Sequence, residues 1–397
     1  MNFVGIIAEY DPFHNGHAAQ LAAVRRQGAV CIAVCMSSGL TQRGAVPLLP
    51  DGPRVAAALA AGADLVVALP APYACAGAET FAAAGVALLT ALGCDTLAFG
   101  AETPDAARLL RAAQLLQSAD FSAALPAALA GGVPFAAARA AAAERLAPGT
   151  AALLRGPNDI LGIEYCKAVL AQGSALAPLP LPRLGAGHNA ETPGTLAGGA
   201  AVASASCLRG QVEQQGIGAL ANLVPPAALA LYRAAAEKGA LADRDKFSVA
   251  VLAALRLKTP AELAKTRGVS EGLENRLAAA VVRAGTVTEL YDLLKTKRYS
   301  HARLRRLALD AALGFTADSG LPALPPYLHL LGARRAALPL LKNAALPVST
   351  SLAELARTGA PTAAVAAAHA RACDFSALCR AVPHPCGLAY TAKPTLV

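Results

Sequence analysis

A run long enough to cross a membrane is the first thing this sequence lacks. Apolar residues make up 55% of its 397 positions, yet no uninterrupted apolar stretch reaches 18 residues. Gly, Pro, Arg or Glu breaks every alanine-rich segment first, so no membrane helix is expected. The opening Met1-Asn2-Phe3-Val4-Gly5-Ile6-Ile7-Ala8-Glu9 lacks the basic region and long apolar region of a secretory signal. The nine cysteines are odd in number and contain no C-x-x-C pair, and a chain of this length buries enough core to need no disulfide staples. Together these absences point to a reduced, cytoplasmic protein that keeps away from membranes. Charged residues are also scarce, at 15%. Alanine runs such as Ala136 to Ala143 favour helix and carry little other information. No internal repeat and no low-complexity linker divides the chain.

The charge that is present leans one way, to a formal net of +9, which suits a polyanionic partner without identifying it. Much of the excess falls between Lys295 and Arg306, where Lys295, Lys297, Arg298, Arg303, Arg305 and Arg306 surround one aromatic residue, Tyr299. A solvated helix face and a contact with an RNA backbone both fit that density.

Along the first hundred residues, short apolar runs alternate with helical patterns. Strands are expected at Phe3 to Ala8, Val30 to Met36, Leu65 to Leu69 and Thr96 to Phe99. Helices are expected at Gly16 to Gln27, Pro53 to Ala61 and Glu79 to Leu92. Near-continuous apolar strands separated by helices predict an α/β, Rossmann-like fold with a parallel sheet covered on both faces. Ligands of such sheets sit beyond the carboxyl ends of the strands. Residues 104–154 read as an alanine-rich helical insertion, and the nucleotide fold resumes from Gly156 to about residue 210. Residues 211–397 read as a separate, mostly helical domain.

The strongest motif is Phe13-His14-Asn15-Gly16-His17, directly after the first strand and at the start of a helix. Two imidazoles three residues apart share one side of a helix start. Free N–H groups and the positive dipole end would add to the same spot, and Gly16 would let a phosphate approach the backbone. Such a site suits attack on an α-phosphate with pyrophosphate leaving, by positioning and electrostatics. A second candidate is the helix start holding Ser204, Ser206 and Arg209, where hydroxyls and a guanidinium could grip the β- and γ-phosphates. An ordinary serine cap with a surface arginine is its alternative. Gln42-Arg43-Gly44, Gly100, Asn158, Arg183 and the loop ending in His188 are weaker candidates. The irregular spacing of His369, Cys373, Cys379, His384 and Cys386 argues against zinc, so no metal site in the chain is expected. Cys31 and Cys35 read as buried strand residues.

Taken together, these residues resemble the bacterial tRNA(Met) cytidine acetate ligase family, within the nucleotidyltransferases that carry H-x-G-H. The likeness runs collinearly through Gly5 to His17, Gln42-Arg43-Gly44, Ala61 to Val66, Phe99-Gly100-Ala101-Glu102, Pro157 to Gly162, Arg183 to Gly187, Ala203 to Ser206 and Thr296 to Tyr299. The resemblance implies a two-step ligase. ATP and acetate would give acetyl-adenylate, and the wobble cytidine of elongator tRNA(Met) would then receive the acetyl group as N4-acetylcytidine. It further implies catalysis by His14 and His17. ATP would be held by the segment Ile7, Ala8, Glu9, Tyr10, Asp11, Pro12, Phe13, His14, Asn15, Gly16, His17 and Gln20, with Gly100, Asn158 and Arg183. Mg²⁺ would ride on the phosphates, and the basic stretch would face the RNA. The sequence departs from the family at Asp11, where Asn is usual, at Ser38-Gly39-Leu40 and in the short loop 49–54. A cofactor-building adenylyltransferase and a non-catalytic RNA- or nucleotide-binding protein remain as alternatives.

Overall fold

Runs of small and branched apolar residues form the strands, and their period of two decides which helices cover them. In the computed structural model, which describes residues 2–130, 132–183, 194–195, 199–270, 272–296 and 299–397, five strands lie parallel. These are β1 (Phe3–Ala8), β2 (Cys31–Ser37), β3 (Leu65–Leu69), β4 (Thr96–Ala101) and β5 (Ala177–Pro182). They run in the order β3-β2-β1-β4-β5. Every residue of β2 and β3 is buried, as expected of strands covered on both faces. Pro178, Pro180 and Pro182 of β5 cannot donate ladder bonds, which suits the edge that β5 occupies.

On one face, Val4, Ile6, Ile32 and Val34 pack with Leu21 and Val24 of helix α1 (Asn15–Arg26) and with Val55 and Ala58 of helix α2 (Asp51–Ala60). On the other, Ile7, Ala33, Cys35, Leu65 and Val67 meet the helix Ala78–Leu92. That helix lies close because two glycines face it or belong to it. A Cβ on Gly85 would stand 2.6 Å from Ile7 Cδ1, and one on Gly5 2.6 Å from Leu89 Cδ1. Cys31 and Cys35 share this buried face, and burial pushes the Cys31 thiol up to about 12, which leaves it inert.

Residues 106–146 form the helical excursion between β4 and β5. β6 (Gly194–Thr195) and β7 (Ala201–Val202) make a small antiparallel pair of their own. Beyond residue 211 the chain is mostly helical, but it differs from the sequence reading in returning to the sheet. β8 (Leu328–Ala333) pairs antiparallel with β3, while β9 (Val348–Ser349) and β10 (Thr395–Leu396) pair with β8. Leu-His-Leu-Leu-Gly-Ala is short and nearly all apolar, so its periodicity does not separate strand from helix. The helices Arg244–Arg256, Leu273–Arg283, Val287–Leu294 and His301–Leu313 bury a third core, shared with Leu40, Val46, Ala71 and Cys75 of the nucleotide fold. Arg267 and Asp310 close that junction with a 2.6 Å ion pair. Among the described residues, no helix is long and apolar enough to cross a membrane.

Candidate nucleotide site

The strand order reverses direction between β1 and β4, and a cavity of about 490 Å³ lies there at the carboxyl ends of the strands. It is lined by Ile7, Ala8, Glu9, Tyr10, Asp11, His14, Gly16, His17 and Gln20 from the first motif. Gly100, Asn158, Arg183 and Ser204 line it from elsewhere. The weak candidates of the sequence thus converge on the strong one. Pro12 and Phe13 are buried behind it. Asn15 turns away, its amide donating to Ala201 O (2.8 Å) and Asn222 O (3.0 Å).

His14 caps α1. Its Nδ1 accepts the Gly16 N–H at 3.1 Å, and His17 Nδ1 accepts the His14 N–H at 3.3 Å. The two rings stack with centroids 3.7 Å apart and planes 21° apart. Tyr10, which holds a left-handed φ of 50°, lies against the rings of Phe13 (4.8 Å) and His17 (4.7 Å). A left-handed tyrosine is uncommon and is held here by its packing. Burial, helped by the charge of Arg183, lowers His14 to about 4, and burial with the neighbouring His14 lowers His17. Both imidazoles are therefore neutral at pH 7. With both Nδ1 atoms accepting, each ring carries its proton on Nε2 and offers one N–H donor.

This geometry corrects one expectation. The backbone N–H groups of the first turn are not free: Asn15 N–H goes to Leu223 O (3.0 Å), Gly16 N–H to His14 Nδ1, and the His17 and Ala18 N–H groups to His14 O (2.9 and 3.1 Å). A histidine that caps its own helix uses the donors that a phosphate would have taken. Gly16 likewise makes room for protein atoms, since a Cβ there would lie 2.9 Å from His14 Cε1 and 3.1 Å from Val202.

The second motif divides. Ser204 lines the cavity as the cap of the helix Ala205–Gln215, accepting the Cys207 N–H at 3.2 Å. Ser206 and Arg209 line an adjoining cavity. Arg209 donates to Asp11 O (2.6 Å) and Asp11 Oδ2 (3.1 Å), and Asp11 Oδ1 accepts the Leu48 N–H at 2.6 Å. The negative charge that departs from the family pattern is thus neutralised inside the protein. Arg43 donates to Ser206 Oγ at 2.8 Å and stands 3.8 Å from Glu9. Burial pushes the Glu9 carboxyl up, against the pull of Arg43.

Sequence reasoning passed over three supports. Glu102 accepts from Asn158 Nδ2 (2.6 Å) and the Asp159 N–H (2.7 Å), and stands 3.8 Å from Arg183. Burial pushes its carboxyl up, but these hydrogen bonds outweigh that and leave it low. Arg54, fully buried, ties the ends of β1 and β2 by donating to Glu9 O (2.9 Å) and to Ser37 O, and pairs with Asp51. Tyr232 donates to Phe13 O at 2.9 Å and fixes the motif from 219 residues further along the chain. Glu102 had a signal, four residues into a matched motif; a lone buried Arg or Tyr has none.

In the basic stretch, Arg306 is half-buried and donates to Gln42 O at 3.2 Å. Arg303 lies over the Tyr299 ring at 4.7 Å, and Lys295 folds back onto the Tyr299 carbonyl at 2.6 Å. Arg305 is exposed. Lys297, Arg298 and His188 lie outside the described residues. Of the C-terminal His and Cys residues, Cys373 Sγ lies 3.6 Å from His369 Nε2, but among the described residues no group of three or more His, Cys, Asp or Glu is placed to hold a metal ion. His369 Nδ1 accepts the Ala71 N–H (3.1 Å), and its Nε2 faces Ser38 Oγ at 3.4 Å, which in turn donates to Asp51. The proton on Nε2 points at the serine, so His369 cannot act as its base.

A model of the HIGH Nucleotidyl Transferase family matches residues 1–379. A curated tRNA(Met) cytidine acetate ligase from Syntrophotalea carbinolica is 35% identical, covering 89% of this chain and 86% of that protein. The chain belongs to the tRNA(Met) cytidine acetate ligase family. Its member from Geobacillus sp. is 33% identical over 89% of this chain and 90% of its own length. A solved structure from Thermotoga maritima, TmcAL bound with alpha-thio ATP, superposes over 100% of both chains with a TM-score of 0.89 at 25% identity.

Proposed function

We propose that this chain is an ATP-dependent ligase that activates acetate and transfers the acetyl group to the wobble cytidine of elongator tRNA(Met) in the cytoplasm. In the first step an acetate oxygen attacks the α-phosphorus, the bond to the β-phosphate oxygen breaks, and pyrophosphate leaves with that electron pair. In the second the cytidine N4 attacks the acetyl carbon, the acyl–oxygen bond to the adenylate breaks, and AMP leaves. The amine loses one proton to solvent, giving N4-acetylcytidine.

Ile7 to Gln20, Gly100, Asn158, Arg183 and Ser204 hold the nucleotide in this reading. Ser206 and Arg209 act from the adjoining wall by fixing Arg43 and Asp11. His14 and His17 present two neutral Nε2–H donors to the α-phosphate as its charge develops. The observation that carries the reading is that stacked pair, with both Nδ1 atoms occupied and both residues lining the cavity. Asp11 and Glu9 are each committed to guanidinium and backbone partners. Among the described residues no ready set of carboxylates is left for Mg²⁺, and the ion fits as part of the substrate, on phosphate oxygens and water.

Exchange of radiolabelled pyrophosphate into ATP tests the first step. Exchange that requires acetate, with N4-acetylcytidine then formed on a tRNA(Met) transcript, is the expected result. Exchange driven by a nucleotide-like cofactor precursor and not by acetate would overturn the proposal.

A further inference from the structure

Asp11 and Arg43 line two cavities at once. Beyond them, between the nucleotide fold and the helices Arg244–Arg256, Val287–Leu294 and His301–Leu313, lies a second cavity of about 650 Å³. Its wall carries two aromatic rings, Phe247 and Tyr291, several groups suited to phosphate, among them His301 and Arg305, and three carboxylates besides that of Asp11. Tyr291 is buried to 8% exposure, and its hydroxyl is buried with no hydrogen-bond partner among the described residues. The hydroxyl points away from the cavity into the protein, so what Tyr291 offers a ligand is its ring. The Arg305 guanidinium lies over the Tyr291 ring at 5.8 Å, and no carboxylate among the described residues forms an ion pair with it.

We propose that this second cavity receives a single-stranded pyrimidine nucleotide of the RNA, its base against Phe247 and Tyr291 and its flanking phosphate at Arg305 and His301. The inference rests on the acetyl-transfer reading above and locates its acceptor. A base whose exocyclic amine must react has to leave its stack, and unstacked bases are held by aromatic and guanidinium planes. Asp11 and Arg43 form a wall shared by the two cavities, which places the amine next to the acyl group formed beside His14 and His17. A leaving pyrophosphate fits this wall less well, because Glu213, Asp243 and Asp292 also line it and repel a polyanion.

Two experiments on the full chain test this. Thr288 is exposed on the cavity wall, so Thr288→Trp fills the space without disturbing the core. The expected result is at least a tenfold rise in KM for a tRNA(Met) transcript, with acetate-dependent ATP–pyrophosphate exchange unchanged. Slowed exchange at unchanged KM for tRNA would mean that pyrophosphate uses the cavity and would overturn the proposal, as would no change in either. The second experiment uses a transcript with 4-thiouridine at the wobble position. Irradiation should crosslink it to peptides containing Phe247 or Tyr291; a crosslink confined elsewhere overturns the assignment. If the wild-type protein gave no acetate-dependent exchange at all, the acetyl-transfer reading would fail before the cavity was tested.

Discussion

His14 does two jobs with two nitrogens, and one substitution separates them. Its Nδ1 caps α1 through the Gly16 N–H, and its Nε2–H is the donor left for the α-phosphate. Asn places its carbonyl oxygen where Nδ1 was and is among the best N-caps, but it has no group that reaches as far as Nε2. His14→Asn should therefore fold with a thermal midpoint at or above that of the wild type. His14→Ala also loses the cap and should lose about 1 kcal/mol of stability. Removal of one preorganised donor to a developing anion costs roughly 10²–10³ in kcat, about 2.7–4 kcal/mol, and both variants should lose acetate-dependent exchange by that factor. The assay is exchange at saturating ATP, beside calorimetry of the same preparations. Near-wild-type exchange in His14→Asn would refute the donor role. An equal loss of stability in both variants would refute the cap argument.

Other consequences follow from the same geometry. His329 and His369 are held neutral by burial, so the unfolded chain binds protons that the folded one refuses. Stability to urea should be level above pH 6.5 and fall between pH 6.5 and 5.5, by up to about 1.4 kcal/mol per unit for each such histidine; a flat profile there would contradict the burial. At Gly44, whose φ is 74°, a Cβ would lie 2.7 Å from Arg306 N and 2.8 Å from Arg305 C. Gly44→Ala should cost at least about 1 kcal/mol and displace the helix His301–Leu313, with weaker tRNA binding in a filter assay; unchanged affinity would separate that helix from RNA. Replacing Lys297, Arg298 and Arg305 with Gln should weaken tRNA binding and flatten its salt dependence by about one unit of slope per lost phosphate contact. An unchanged slope would remove the basic stretch from the interface. Arg306 is a poor choice for that series, because it supports Gln42.

Much of this was legible before any coordinates. The first four parallel strands announce themselves because each is a near-continuous apolar run between helical patterns, and H-x-G-H after the first of them marks the site. Two things were not legible. The return of β8 to the sheet edge depends on contacts hundreds of residues apart, which a six-residue apolar run does not encode. The occupancy of donors at the start of α1 depends on the Nδ1 atoms facing inward, so the sequence suggested free backbone amides where the structure has a histidine cap. Arg54, Tyr232 and Glu102 carry long-range hydrogen bonds of the same kind. Glu102 sits in a matched motif, but Arg54 and Tyr232 are ordinary residue types, and only the fold reveals what they hold.

The central claim is that the stacked imidazoles meet the α-phosphate of bound ATP. A crystal structure of this chain with α,β-methylene-ATP measures that directly. The account predicts α-phosphate oxygens within hydrogen-bond reach of both Nε2 atoms, about 2.6–3.2 Å, with the adenine beside Gly100. Phosphates lying away from His14 and His17, or gripped by the first-turn backbone amides of α1 after His14 has swung off its cap, would contradict it.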